Sequence, residues 1–198
     1  MTYCPLTGSG LVFPARQGNG APLHFYISGR LFNDNLTMFE RDADEPTFWN
    51  QILQKAIRGP RKGRALELLP VTATTWAHWR EMHPGTLVTS SDTGYSRNYG
   101  ANPYTEQQQP DAYTLFPVNP AWEPWYPNKS KTLALEGPKT SRAYAFAEME
   151  KAGDRLVIDD VLDGAPIVVV YEREHAMAVA FERTNDGRTL TFEGATAP

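Results

Sequence analysis

Two stretches at opposite ends of this 198-residue chain carry the same residues in the same order. Near the N-terminus stand Thr2-Tyr3, then Phe13, Arg16, Gly20, Leu23 and Phe25; near the C-terminus stand Val170-Tyr171, then Phe181, Arg183, Gly187, Leu190 and Phe192. Tyr3 to Phe13 has the spacing of Tyr171 to Phe181, Gly20 to Leu23 that of Gly187 to Leu190, and a single inserted residue reconciles the rest. Such self-similarity marks a duplicated supersecondary unit. The second copy has about 40 residues (131–170) ahead of Tyr171, whereas the first has only Met1 and Thr2 ahead of Tyr3. An apolar strand edge left unpaired invites aggregation unless another element covers it. The first copy is therefore expected to be cut short at its start, in a chain that begins inside a longer gene product.

Apolar alternation and β-branched residues predict strands at 11–13, 23–28, 36–39, 66–69, 86–88, 155–161, 167–171, 178–183 and 189–192. Gly18-Asn19-Gly20, Asp163-Gly164 and Asp186-Gly187 are hairpin-type turns. A helix is predicted from Asp44 as cap and Pro46 in the first turn, with Phe48, Trp49, Ile52, Leu53, Ala56 and Ile57 as one apolar face and Gly59-Pro60 as its stop. A second helix is expected over 75–82, ended by Pro84-Gly85, and a shorter third over 146–151, ended by Gly153. Between Asn98 and Lys129 six prolines stand beside six Tyr and Trp residues, Trp122 and Trp125 among them. Proline at that density excludes regular helix and central strand, and so many aromatics suit an ordered loop wrapping the surface. The expected fold is α+β, mainly antiparallel β, with two or three short helices: a first copy over 1–98, a connecting loop over 99–130 and a second copy over 131–198.

Composition removes several function classes. Hydrophobic residues make up 41% and charged residues 21%, with a formal net charge of −4. The richest basic run, Arg58 to Arg64, holds four cations among Gly and Pro, too little for a nucleic-acid groove. No apolar run approaches the 18 or so residues that span a bilayer, and Met1 leads straight into Thr-Tyr-Cys-Pro rather than a basic and apolar leader. With one cysteine, Cys4, no internal disulfide can form.

Long motifs carry a family resemblance. Thr2-Tyr3-Cys4-Pro5-Leu6-Thr7-Gly8-Ser9-Gly10, Leu31-Phe32-Asn33-Asp34-Asn35-Leu36, Trp49-Asn50-Gln51, Leu66-Glu67-Leu68-Leu69-Pro70 and Asp92-Thr93-Gly94-Tyr95-Ser96-Arg97-Asn98-Tyr99-Gly100 are similar to signatures of the family catalogued as domain of unknown function 3179. The resemblance covers nearly the whole chain and implies no established activity or cofactor. It implies members that extend further at the N-terminus, through a segment resembling 141–170 that includes a Trp-His-Glu stretch, often behind a secretion or lipoprotein signal. Where Cys4 would fall in the second copy stands Glu172.

Two segments could carry chemistry. Cys4 precedes a Pro and a Thr-Gly-Ser-Gly turn, whose backbone N–H groups can face an anion. It is a nucleophile if a base or helix terminus lowers its pKa, a soft metal ligand if a second donor joins it, or a small buried hydrophobe. Asp92, Tyr95, Arg97 and Tyr99 share a Gly-punctuated loop in which Arg97 could fork a carboxylate or phosphate and Asp92 could fix it or act as base. The alternative there is an Asx-turn with Arg97 paired to an acid and the tyrosines in the core. Thr7, Ser9, Asn35 and Gln51 are the remaining ligand-binding candidates, with Gln51 facing away from the apolar side of the first helix. His24, His78, His83 and His175 show no metal-ligand spacing, and His83 before Pro84 suits a helix C-terminus.

Two functions follow. In the first, a catalytic or metal site centres on Cys4 with Asp92, Tyr95 and Arg97 lining it, acting on a small polar or anionic ligand; Cys4 must then be accessible. In the second, a non-catalytic binding or interaction module uses the aromatic loop near Trp122 and Trp125, and Cys4 is inert core.

Overall fold

The computed structural model describes residues 1–18, 20–40, 44–116 and 125–192. The chain forms two compact units: Met1–Val71 with Asn98–Lys129, and Thr72–Arg97 with Ser130–Pro198. Segment 72–97, expected with the first copy, thus clusters with the second unit, and the Pro/aromatic segment clusters with the first.

The first unit opens with a short hairpin, β1 (Thr2–Cys4) and β2 (Ser9–Leu11). A four-stranded antiparallel sheet follows in sequence order, β3 (Phe25–Phe32), β4 (Asn35–Glu40), β5 (Phe48–Asn50) and β6 (Lys55–Arg58). Phe13, Met38, Trp49, Ala56 and Leu66 form its core, with Leu11, Leu23, Phe25 and Leu36 packed around them. Trp49 is fully buried and its indole N–H donates to Glu40 Oε1 at 2.8 Å, so the one polar atom of the ring has a partner.

The helix expected after Asp44 is a correction: those residues make the β5–β6 hairpin. Trp49 and Ala56 are cross-strand partners, so both face the core, whereas Ile52 and Leu53 lie exposed in the turn between the strands. Asn50 Oδ1 accepts from Leu53 N–H at 3.0 Å and Gln54 sits at φ +52°, which closes the turn. Residues seven apart share a face both over two helical turns and across a hairpin, and only the second choice buries Trp49 against β4. The strand expected at 66–69 is reduced to a bridge, Leu69 with Val12, and 86–88 joins no β-ladder among the described residues.

The second unit holds both helices. Helix α1 (Trp76–Met82) is capped by the Thr75 hydroxyl, which accepts from His78 N–H, and it ends at His83, as its sequence leads one to expect. Strands β7 (Thr132–Glu136) and β8 (Ser141–Ala145) form a hairpin that the sequence pattern did not single out. Helix α2 (Phe146–Ala152) leads into an antiparallel meander of β9 (Arg155–Leu162), β10 (Ala165–Glu172) and β11 (Met177–Glu182). Asp163 and Gly164, at φ +50° and +89°, make the two-residue turn that matches strand twist. A small hairpin of β12 (Thr184–Asn185) and β13 (Arg188–Thr189) closes the unit around Asp186-Gly187. Phe146, Met149, Val169 and Tyr171 are the core, the Tyr171 ring standing edge-on to Phe146 at 5.3 Å. The fold is therefore α+β and mostly antiparallel. Among the described residues no helix is long and apolar enough to cross a membrane.

Candidate functional site

In the first unit, four of the candidate binding residues meet. The turn after β1 brings Thr7 and Ser9 beside Asn35, which follows the Asn33-Asp34 turn, and beside Gln51 at the end of β5. Asn35 Nδ2 donates to Thr7 Oγ1 at 3.1 Å and to Gln51 Oε1 at 3.0 Å, while its Oδ1 accepts from Ile52 N–H at 3.0 Å. Ser9 Oγ donates to Gln51 Oε1 at 2.9 Å. Gln51 Nε2 in turn donates to Thr2 Oγ1 and to the Ser9 carbonyl, both at 3.1 Å. Both amides are buried and have donors and acceptors occupied by neighbours in the chain. A buried amide network of this kind fixes three turns against one another.

Cys4 ends β1 opposite Ser9, is 1% exposed, and carries a free thiol. Asp34 lies buried in an ion pair with Lys129, whose ammonium also donates to the Leu6 carbonyl at 3.0 Å. Asp34 Oδ1 accepts from Leu115 N–H at 2.9 Å, and Gln108 Nε2 donates to the Pro5 carbonyl at 3.1 Å. These bonds hold the Pro/aromatic segment onto the first unit.

Asp92, Tyr95 and Arg97 belong to the second unit, and all three are exposed. Their loop is a chain of local turns: Asp92 N–H donates to Ser90 Oγ at 3.0 Å, Tyr95 N–H to Thr93 Oγ1 at 3.4 Å, and Gly94 takes φ +76°. Tyr95 and, in the first unit, Tyr99 are exposed, so the alternative that buried both tyrosines in the core is corrected. Ser, Thr and Asn hydroxyls and amides bonded two residues on impose these turns without a core behind them.

A third cluster lies in the second unit and was missed in the sequence. His78 on α1, with Glu172 at the end of β10 and His175 in the turn that follows, places one ligand atom from each residue within 4.8 Å of the others. The two imidazoles stack at 3.6 Å with an interplanar angle of 11°, and His175 Nε2 lies 3.6 Å from Glu172 Oε2. Local spacing could not reveal a pair separated by the whole of 79–174; the signal present was a His three residues after Glu172, in a hairpin loop. A cleft of about 520 Å³, lined by Asp154, Arg155, Glu172, Arg173, Glu174 and His175, opens beside them.

No curated protein and no solved structure matches the chain. A family model does: the one described as "Protein of unknown function (DUF3179)" matches residues 1–196, and the chain belongs to that family.

Proposed function

We propose that this chain acts as a binding module and that its cysteine is structural. One observation carries the reading: Cys4 is 1% exposed, and Ser9, its cross-strand partner, has its hydroxyl bonded to Gln51 within a self-satisfied network. A nucleophile or metal ligand needs access, and a thiol sealed in this way behaves as a small hydrophobe. The contact surface in this reading is the Asn98–Lys129 segment, which carries exposed Tyr113 and Phe116 and a Trp125 that is 95% exposed. Trp122 lies outside the described residues. Aromatic anchors on a segment pinned by buried bonds favour a polypeptide partner, because large rigid rings contribute contact area at little entropic cost.

Thiol kinetics test the first half. A disulfide reagent is expected to react with native Cys4 at least about a hundredfold more slowly than with the urea-unfolded chain. Equal rates would return the site to Cys4. For the second half, polypeptides retained by the wild-type chain are compared with those retained by a Tyr113→Ala/Trp125→Ala variant of unchanged circular dichroism. Selective loss is expected; equal retention would move the contact off this segment.

The two hairpins are further read as diverged copies, and register supports it. Thr2, Tyr3 and Cys4 pair with Leu11, Gly10 and Ser9, while Val170, Tyr171 and Glu172 pair with Val179, Ala178 and Met177. Farther along, Leu23 N–H donates to the Ala15 carbonyl at 2.7 Å and Leu190 N–H to the Arg183 carbonyl at 2.8 Å, so by hydrogen bonding Arg183 corresponds to Ala15 and the Arg16–Arg183 match is off by one residue. Cross-strand NMR contacts that placed either hairpin one residue out of this register would break the correspondence, since a one-residue slip exchanges the faces.

A further inference from the structure

The geometry points to a divalent transition-metal site formed by His78, His175 and Glu172 in the second unit. The three side chains are sheltered, at 15%, 17% and 22% exposure, with a ligand atom of each within 4.8 Å of the others. His78 Nδ1 supplies an independent observation. It is buried and has no hydrogen-bond partner, since the nearest carboxylate oxygen, from Glu81, stands 4.0 Å away. A buried imidazole nitrogen left without a partner carries a desolvation cost that a bound cation removes.

The backbone holds the two histidines in place. Thr75 N–H and Thr74 Oγ1 both donate to the His175 carbonyl at 3.2 Å, and Thr75 Oγ1 accepts from the His78 N–H at 3.3 Å. One residue therefore caps the helix bearing His78 and anchors the turn bearing His175. Glu172 divides its oxygens, Oε2 toward His175 and Oε1 3.8 Å from Arg155 Nε. Two imidazoles and one carboxylate suit zinc, with a fourth position open to water or an anion. That position would face the cleft, where Arg155 and Arg173 stand. Because an imidazole lone pair lies in its ring plane, two parallel rings cannot both aim at one ion. Loading must turn at least one ring out of the stack.

The inference is independent of the reading of Cys4. It is tested by titrating the full, untagged chain with zinc or cobalt(II) alone, by calorimetry and equilibrium dialysis. One ion per chain is expected, with the visible spectrum of four-coordinate cobalt and a shift of the His175 ring resonances. His78→Ala and His175→Ala should each weaken binding by more than about tenfold, while His24→Ala and His83→Ala leave it unchanged. Should an alanine variant fail to fold, the near-isosteric Glu172→Gln still decides and should also bind more weakly. Absence of saturable binding by the wild type, or affinity unmoved in Glu172→Gln and in the folded histidine variants, would overturn the proposal.

Discussion

Asp34 and Lys129 form an ion pair across 95 residues of sequence, with side chains only 3% and 8% exposed. Removing one partner from a buried pair leaves an uncompensated charge, the costly case, whereas replacing both is often close to neutral. Lys129→Met is therefore expected to destabilise the chain by about 3 kcal/mol in urea unfolding. Asp34→Asn/Lys129→Met should recover much of that loss, because Asn still accepts from Leu115 N–H and tolerates the φ of +60° at position 34. A double variant as unstable as the single one would show that the pair contributes more than mutual neutralisation.

Gln51 tests whether the amide network is structural. Its side chain takes bonds from Ser9 and Asn35 and gives them to Thr2 and the Ser9 carbonyl. Gln51→Leu keeps approximate volume and strands those groups, at a cost of about 3 kcal/mol. A residue kept there for a ligand behaves otherwise: its replacement by an apolar side chain leaves the unfolding midpoint unchanged or raises it.

Those residues also show how far the sequence reaches. Thr7, Ser9 and Asn35 stand in turn-rich motifs and Gln51 on the polar side of the expected first helix, and the fold brings all four together although that helix is a hairpin. What local pattern could not convey is that they satisfy one another, since this depends on strand order. Asp163-Gly164 and Asp186-Gly187 were legible because a two-residue turn at positive φ is set by its own residues. The segment 44–58 was misread because Trp49 and Ala56 share a face in either structure, and pairing with β4 decides between them. His78 and His175 stack only because α1 packs on the β10–β11 turn through Thr74 and Thr75, a contact with no local signature.

Gly59 reports on that misread segment. It sits at φ +96°, and a Cβ there would lie 2.6 Å from the Pro46 carbonyl oxygen and 2.8 Å from Thr47 Cα. Gly63, at φ +92°, has open space around its missing Cβ. Gly63→Ala should therefore cost only the left-handed penalty, about 1–2 kcal/mol. Gly59→Ala adds an overlap with backbone that no rotamer relieves, for a total of about 3 kcal/mol or more. Equal losses in thermal unfolding would argue against the packing of Gly59 onto the start of β5.

Tyr144 and Asp160 predict the pH dependence of the second unit. Tyr144 Oη donates to Asp160 Oδ2 at 2.7 Å. Burial, then the Asp160 bond and charge, push the phenol up to about 12, while Arg142 acts weakly the other way. The same bond, with the Val161 N–H, holds the Asp160 carboxyl below its usual range. Burial chiefly raises the Tyr171 phenol as well. A depressed carboxylate contributes stability that is present above its unfolded value near 3.9 and lost as pH falls through the folded one. A raised phenol has the opposite sense: the unfolded chain releases its proton from about pH 10 while the folded chain retains it, so stability declines above about pH 10. Tyr144→Phe should cost about 1 kcal/mol at neutral pH and flatten part of the alkaline decline. It should also flatten part of the acid limb, because Asp160 without its donor titrates nearer its unfolded value. Urea unfolding across the pH range checks all three. An alkaline limb running parallel in wild type and Tyr144→Phe would mean that the phenol and its carboxylate are not coupled in the folded chain.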